Sequence, residues 1–74
     1  MDIHYGEKIR AMRNQVGMSQ VKLAGLSGVS VRTISRMESS DYNPSLQTIN
    51  LVCKPMGYKA KIEFEQIVFE EVKK

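Results

Sequence analysis

The sequence predicts a mainly α chain in which four short helices precede a single C-terminal β-strand. Three observations carry that expectation. Apolar residues recur at spacings of three and four from Tyr5 to Met56, three serines stand where a helix has to begin, and the period falls to two after Gly57.

Tyr5, Ile9, Met12 and Val16 mark one face of a first helix, expected from His4 to Gln15. Gly17 follows at the point where a left-handed residue closes a helix. Ser19 is a good N-cap, with Met18 and Leu23 placed as a hydrophobic staple. Leu23, Ala24 and Ser27 then share one face of a short second helix that stops at Gly28. The same device repeats at once, with Ser30 as cap and Val29 and Ile34 as staple, and opens a third helix that runs to Glu38. A link this short around a glycine is too tight for antiparallel packing and fits two helices crossing at a wide angle.

Residues 39–44, Ser-Ser-Asp-Tyr-Asn-Pro, form a loop rich in turn formers. Ser45 can cap a fourth helix whose inward positions are Leu46, Ile49, Val52, Cys53 and Met56. Pro55 lacks a backbone donor and should end or kink that helix near Lys54.

Beyond Gly57, Lys59, Lys61, Glu63 and Glu65 alternate with Ala60, Ile62 and Phe64, the signature of a half-buried strand. A lone strand leaves its backbone donors and acceptors unpaired. Ala60, Ile62 and Phe64 are therefore expected on a strand that pairs with its twin across a two-fold axis, or with a strand of another protein. Ile67, Val68, Phe69 and Val72 fit neither period, and this apolar run is expected to be covered by a second copy or a partner.

Composition bounds the function. A chain of 74 residues is one small domain, and such a domain buries only about 60 % of its unfolded surface. The single cysteine, Cys53, excludes an internal disulfide, and no Cys/His cluster suggests zinc, so self-association is the expected support. No apolar run approaches a membrane span and no signal stretch is evident, which reads as a cytoplasmic chain. The net charge is +3, and all four arginines, Arg10, Arg13, Arg32 and Arg36, lie in the first half. Clustered arginine of this kind is the footprint of a face that binds a polyanion.

The spacing of the second and third helices gives that face a form. Ala24 is small where the helices cross, Gly28 turns the chain, and Ile34 with Met37 plugs the third helix into the core. Arg32, Ser35, Arg36 and Ser39 are left as a polar stripe on its outer side. Arginines there can fork to guanine or phosphate in a major groove, and the hydroxyls can serve either.

With Gly6-Glu7-Lys8-Ile9-Arg10, Gly17-Met18-Ser19-Gln20, Leu23-Ala24, Gly28-Val29-Ser30, Thr33-Ile34-Ser35-Arg36-Met37-Glu38 and Asn43-Pro44-Ser45-Leu46, the chain closely resembles the Xre family of helix-turn-helix regulators. The resemblance covers residues 6–57. It implies a lambda repressor-like helical bundle that reads double-stranded DNA with its third helix, usually as a homodimer on a palindrome. It implies a DNA-binding domain over residues 1–57, followed by a strand and tail, 58–74, for dimerisation or partner binding. Carried over residue by residue, it implies that Gln20 touches phosphate, that Ser30, Val31, Arg32 and Arg36 face DNA, and that Asn43 meets the backbone. Arg13 pairs in the family with the glutamate that is Glu38 here, a structural role.

Departures from the family pattern bear on affinity. Ser39-Ser40-Asp41-Tyr42 stands where members often carry a glycine and a basic residue, so a common phosphate contact is missing. Gly25 and Leu26 replace polar residues, Lys54-Pro55 interrupts the end of the fourth helix, and a strand stands in place of a fifth helix. Small Xre-type antitoxins often end in such a strand.

The leading expectation is thus a homodimeric DNA-binding repressor that regulates its own gene. The alternative is an antitoxin that grips a toxin protein through its C-terminal segment. Neither an enzyme, a cofactor, a metal site nor a small-molecule effector is expected. His4 has no nucleophile or second ligand near it in sequence, and Cys53 sits on an inward helix face.

Overall fold

A computed structural model describes residues 5–39 and 44–72 of the chain. It contains α1 (Tyr5–Gln15), α2 (Gln20–Ser27), α3 (Val31–Glu38), α4 (Leu46–Cys53), a 3-10 turn at Lys54–Met56, β1 (Tyr58–Glu63) and β2 (Gln66–Glu71).

The helix starts follow from the local chemistry. Ser19, Ser30 and Ser45 each sit in extended backbone and accept a hydrogen bond from the amide three residues on, at 3.0, 3.1 and 3.2 Å. Gly28 adopts φ 79° and its N–H donates to the Ala24 carbonyl, which closes α2 and turns the chain into α3. Pro55 ends α4 as expected, and the last turn tightens to a 3-10 geometry.

Ile9, Leu23, Ile34, Met37, Ile49, Val52 and Cys53 are fully buried and draw on all four helices. α3 packs on α1 and α2, while α4 carries the strands. Val16, expected on the inward face of α1, is exposed instead, because the helix ends at Gln15 and the chain turns away at Gly17. His4 and the loop residues Ser40 to Asn43 lie outside the described residues.

The strand is where expectation and structure part. β1 is not alone, because residues 66–71 fold back as β2 in an antiparallel hairpin. Ala60 pairs with Phe69 and Ile62 with Ile67. The expectation of a lone strand is corrected by this internal partner, and the other edge of β1 makes a contact of its own at Ala60. There the Asn50 side chain accepts from Ala60 N–H (2.8 Å) and donates to Ala60 C=O (3.0 Å), which satisfies that edge at Ala60. The inward alternation also ends early. Ala60 is 2 % exposed, but Ile62 is 61 % and Phe64, in the turn rather than the strand, 93 %. Of the apolar tail, Ile67 and Phe69 pack against the helical core, so the chain itself covers them in part. Among the described residues no helix is long and apolar enough to cross a membrane.

Candidate nucleic-acid interface

α3 has two faces of different chemistry. Ile34, Met37 and Glu38 point into the body, while Val31, Arg32, Ser35, Arg36 and Ser39 are exposed. Only one of these side chains is apolar, and Val31 at 38 % exposure presents methyls of the kind that meet a thymine. From residue 19 to 39 the exposed charges are Lys22, Arg32 and Arg36, and the single acid, Glu38, is buried. Among the described residues of this stretch the exposed charges are thus all cationic, which suits an approach to phosphates.

The hydroxyls are partly committed. Ser30 caps α3 and donates to the Thr33 hydroxyl at 2.9 Å, and Ser39 donates to the Arg36 carbonyl at 3.1 Å. Ser30 is exposed, at the helix start beside Val31. Asn43 lies outside the described residues.

Behind this face sits a polar clamp. Arg13 Nε and Nη2 donate to the two carboxylate oxygens of Glu38, at 2.7 and 3.1 Å, and Nη1 donates to the Met18 carbonyl at 2.8 Å. Forked geometry of this kind is the strong form of an ion pair. The Gln20 amide also donates to Glu38 Oε1, at 3.1 Å, which fixes the start of α2 to the end of α3. Arg10 Nε lies 3.5 Å from the same oxygen and is mostly exposed. Burial alone would push the Glu38 carboxyl up, but the hydrogen bonds from Arg13 and Gln20, the Arg13 charge and the Arg10 bond outweigh it and leave the carboxyl below its ordinary value. The hydrogen bond from Glu38 likewise raises Arg13, against the opposing effect of its burial.

The family resemblance implied the pair of Arg13 with Glu38 but not the other two donors, Gln20 and Arg10. Arg10 stands one turn before Arg13 on α1, a spacing that could have identified it. Gln20 was expected at phosphate, and its remaining amide hydrogen and carbonyl are the groups left for that purpose. Cys53 takes no part, since burial pushes its thiol up to about 12, far from a reactive thiolate.

Comparison with known proteins agrees with this geometry. The model of the helix-turn-helix family matches residues 9–61, most of the chain. An immunity repressor protein of Bacillus phage phi105 is 35% identical over 66 residues, 89% of this chain and 43% of the phage protein. An uncharacterized HTH-type transcriptional regulator, YgzD, of Bacillus subtilis is 35% identical over 57 residues, 77% of this chain and 86% of its own length. A third regulator of the same description, from Haemophilus influenzae, is 42% identical over 45 residues, 61% of this chain and 46% of that protein. The chain thus spans less than half of the phage repressor. No solved structure matches.

Proposed function

We infer that this chain, which belongs to the Xre-type helix-turn-helix family and is a DNA-binding transcriptional regulator, acts as a repressor of its own gene and binds a two-fold operator as a homodimer. In this reading α3 enters the major groove, Arg32 and Arg36 reach base edges or phosphates, and Ser35 adds a polar contact. Val31 meets a thymine methyl, while Ser30, Gln20 and Asn43 hold the backbone. The exposed stripe of Arg32, Ser35, Arg36 and Ser39, on a helix anchored from behind by Ile34, Met37 and Glu38, carries the reading. The names of the relatives, a repressor and regulators, favour it over the antitoxin alternative.

The test is binding of the purified protein to DNA from upstream of its own coding region and to unrelated DNA, at two salt concentrations. Preference for its own DNA by roughly a thousandfold or more is the expected result, with affinity falling steeply as salt rises. Equal, weak binding to both DNAs would refute autoregulation.

A further inference from the structure

Phe64 is the least explained residue of the fold. It lies at the tip of the hairpin, 93 % exposed, where Phe64 (φ 52°) and Glu65 (φ 62°) both adopt the left-handed region. Two-residue turns of this form favour Asn-Gly or Asp-Gly, because a side chain on a left-handed residue crowds the backbone. An aromatic residue there is unfavourable for the turn and buries nothing within its own chain. Strain of this kind at an exposed tip points to a role outside the hairpin.

The complementary feature lies on another part of the surface. An open groove of about 560 Å³ runs between the end of α2 and the end of α4, lined by Leu26, Ser27, Leu51, Lys54 and Pro55. Leu26 is 54 % and Leu51 47 % exposed, so the groove presents apolar side chains to solvent with one cation at its edge. The tip is the chemical converse, an aromatic ring flanked by Glu63 and Glu65. Glu63 lies 3.7 Å from Lys61, whereas Glu65 and Lys54 make no ion pair among the described residues. Since Phe64 is almost wholly exposed, it does not occupy the groove of its own chain.

We propose that the hairpin tip of one copy inserts Phe64 into the Leu26–Leu51–Pro55 groove of a second copy, with Glu65 against Lys54, and that the exchange is reciprocal across a two-fold axis. The proposal rests on the homodimeric reading above and names its contact. Opposite charge on tip and groove selects a second copy of this chain as occupant. A direct pairing of two hairpins along their β2 edges would instead bring Glu65 and Glu71 of the two copies near each other, which like-charge repulsion opposes, while Glu70 is already paired with Lys61 at 2.9 Å. No residue of α3 lines the groove, so the contact leaves the candidate DNA face open. Two inserted rings bury on the order of 300–500 Å², less than the roughly 1,200 Å² of a standard stable interface. The dimer is accordingly a concentration-dependent one.

Sedimentation velocity on the 74-residue chain without DNA, over a wide concentration range, tests this. Phe64→Asn removes the ring while supplying a residue that tolerates the left-handed turn, and circular dichroism verifies that the fold is kept. The expected result is a reversible wild-type dimer whose dissociation constant rises at least about thirtyfold in Phe64→Asn, the loss typical of a central aromatic anchor. Lys54→Glu and Glu65→Lys should each weaken the dimer, and the double variant carrying both should restore it. A monomeric wild type, a dimer indifferent to Phe64→Asn, or a double variant no stronger than the singles would each overturn the proposal. A dimer that behaves as expected yet shows no operator preference would refute autoregulation and leave this contact standing.

Discussion

Replacing Glu38 with alanine removes the group that accepts from Arg13 twice and from Gln20 once, and that lies within 3.5 Å of Arg10. The Arg13 side chain, 13% exposed, would keep only its bond to the Met18 carbonyl and would hold a nearly unpaired charge. Breaking a buried pair from one side costs about 3–5 kcal/mol. A chain of this length has a total stability of about 4–11 kcal/mol at the usual ~0.05–0.15 kcal/mol per residue. The variant should therefore be marginal or unfolded at room temperature. Thermal and urea melts followed by circular dichroism measure this, and at about 4 °C per kcal/mol or more the midpoint should fall by at least roughly 12 °C. A fall under about 4 °C would show that the cluster contributes no more than an exposed surface pair and would refute the reasoning. Replacing both partners at once, Arg13→Met with Glu38→Leu, should cost much less than Glu38→Ala alone, because no unpaired charge is left inside.

The same carboxylate sets an acid limit. Its pKa in the folded protein lies below the ordinary value, so its contribution is complete above the unfolded value of about 4.3 and is lost as pH falls through the folded one. Wild type should lose stability over that acid range, and Glu38→Gln, which has no proton to gain there, should show a flatter profile in pH-dependent urea melts.

Arg36→Ala should weaken specific DNA binding by about 1–3 kcal/mol and relax one base position if the side chain reads a base; uniform loss across sequences in a binding titration would assign it to phosphate. Asn50→Leu deprives the Ala60 amide and carbonyl of their partners and should cost about 1–3 kcal/mol in urea denaturation, with faster amide exchange at Ala60. Gly28→Ala meets no atom within 4 Å of the new Cβ, so its cost is the left-handed backbone alone, about 1–2 kcal/mol in the same assay. Cys53 should resist a thiol reagent at pH about 8 until denaturant exposes it, and prompt labelling of the folded protein would contradict its burial.

The helices were legible because their signals are local. A serine that bonds to the amide three residues on, or a glycine that takes positive φ, needs no knowledge of the rest of the fold. β2 was hidden for two physical reasons. The turn before it is Phe64-Glu65, with no glycine or asparagine to mark it, and Val68 places an apolar side chain opposite Lys61 on the face away from Ile67 and Phe69. Apolar residues on both faces of a strand erase the period of two. Asn50 was equally silent, since a polar residue on a helix looks solvated until the strand it serves is in place. Gln20 joins Glu38 across 18 residues, and only the folded α2–α3 geometry brings the two together.

Glu38 has a further consequence for the proposed DNA face. A carboxylate in the last turn of a helix opposes the helix dipole, so nothing within α3 favours it there. Its stabilisation comes from α1 and from the start of α2, through Arg13 and Gln20. The outward direction of Arg32 and Arg36 is therefore fixed by the same bonds that hold the bundle together. Two kinds of variant then separate. Loss of Glu38 should weaken DNA binding in proportion to the unfolded fraction, because DNA binds only the folded state and pulls the equilibrium back toward it. Loss of Arg36 should weaken binding with the melting midpoint nearly unchanged, as for an exposed side chain. If saturating operator DNA restores the melting midpoint of a Glu38 variant but not the affinity of an Arg36 variant, the clamp holds α3 in place and the stripe does the reading.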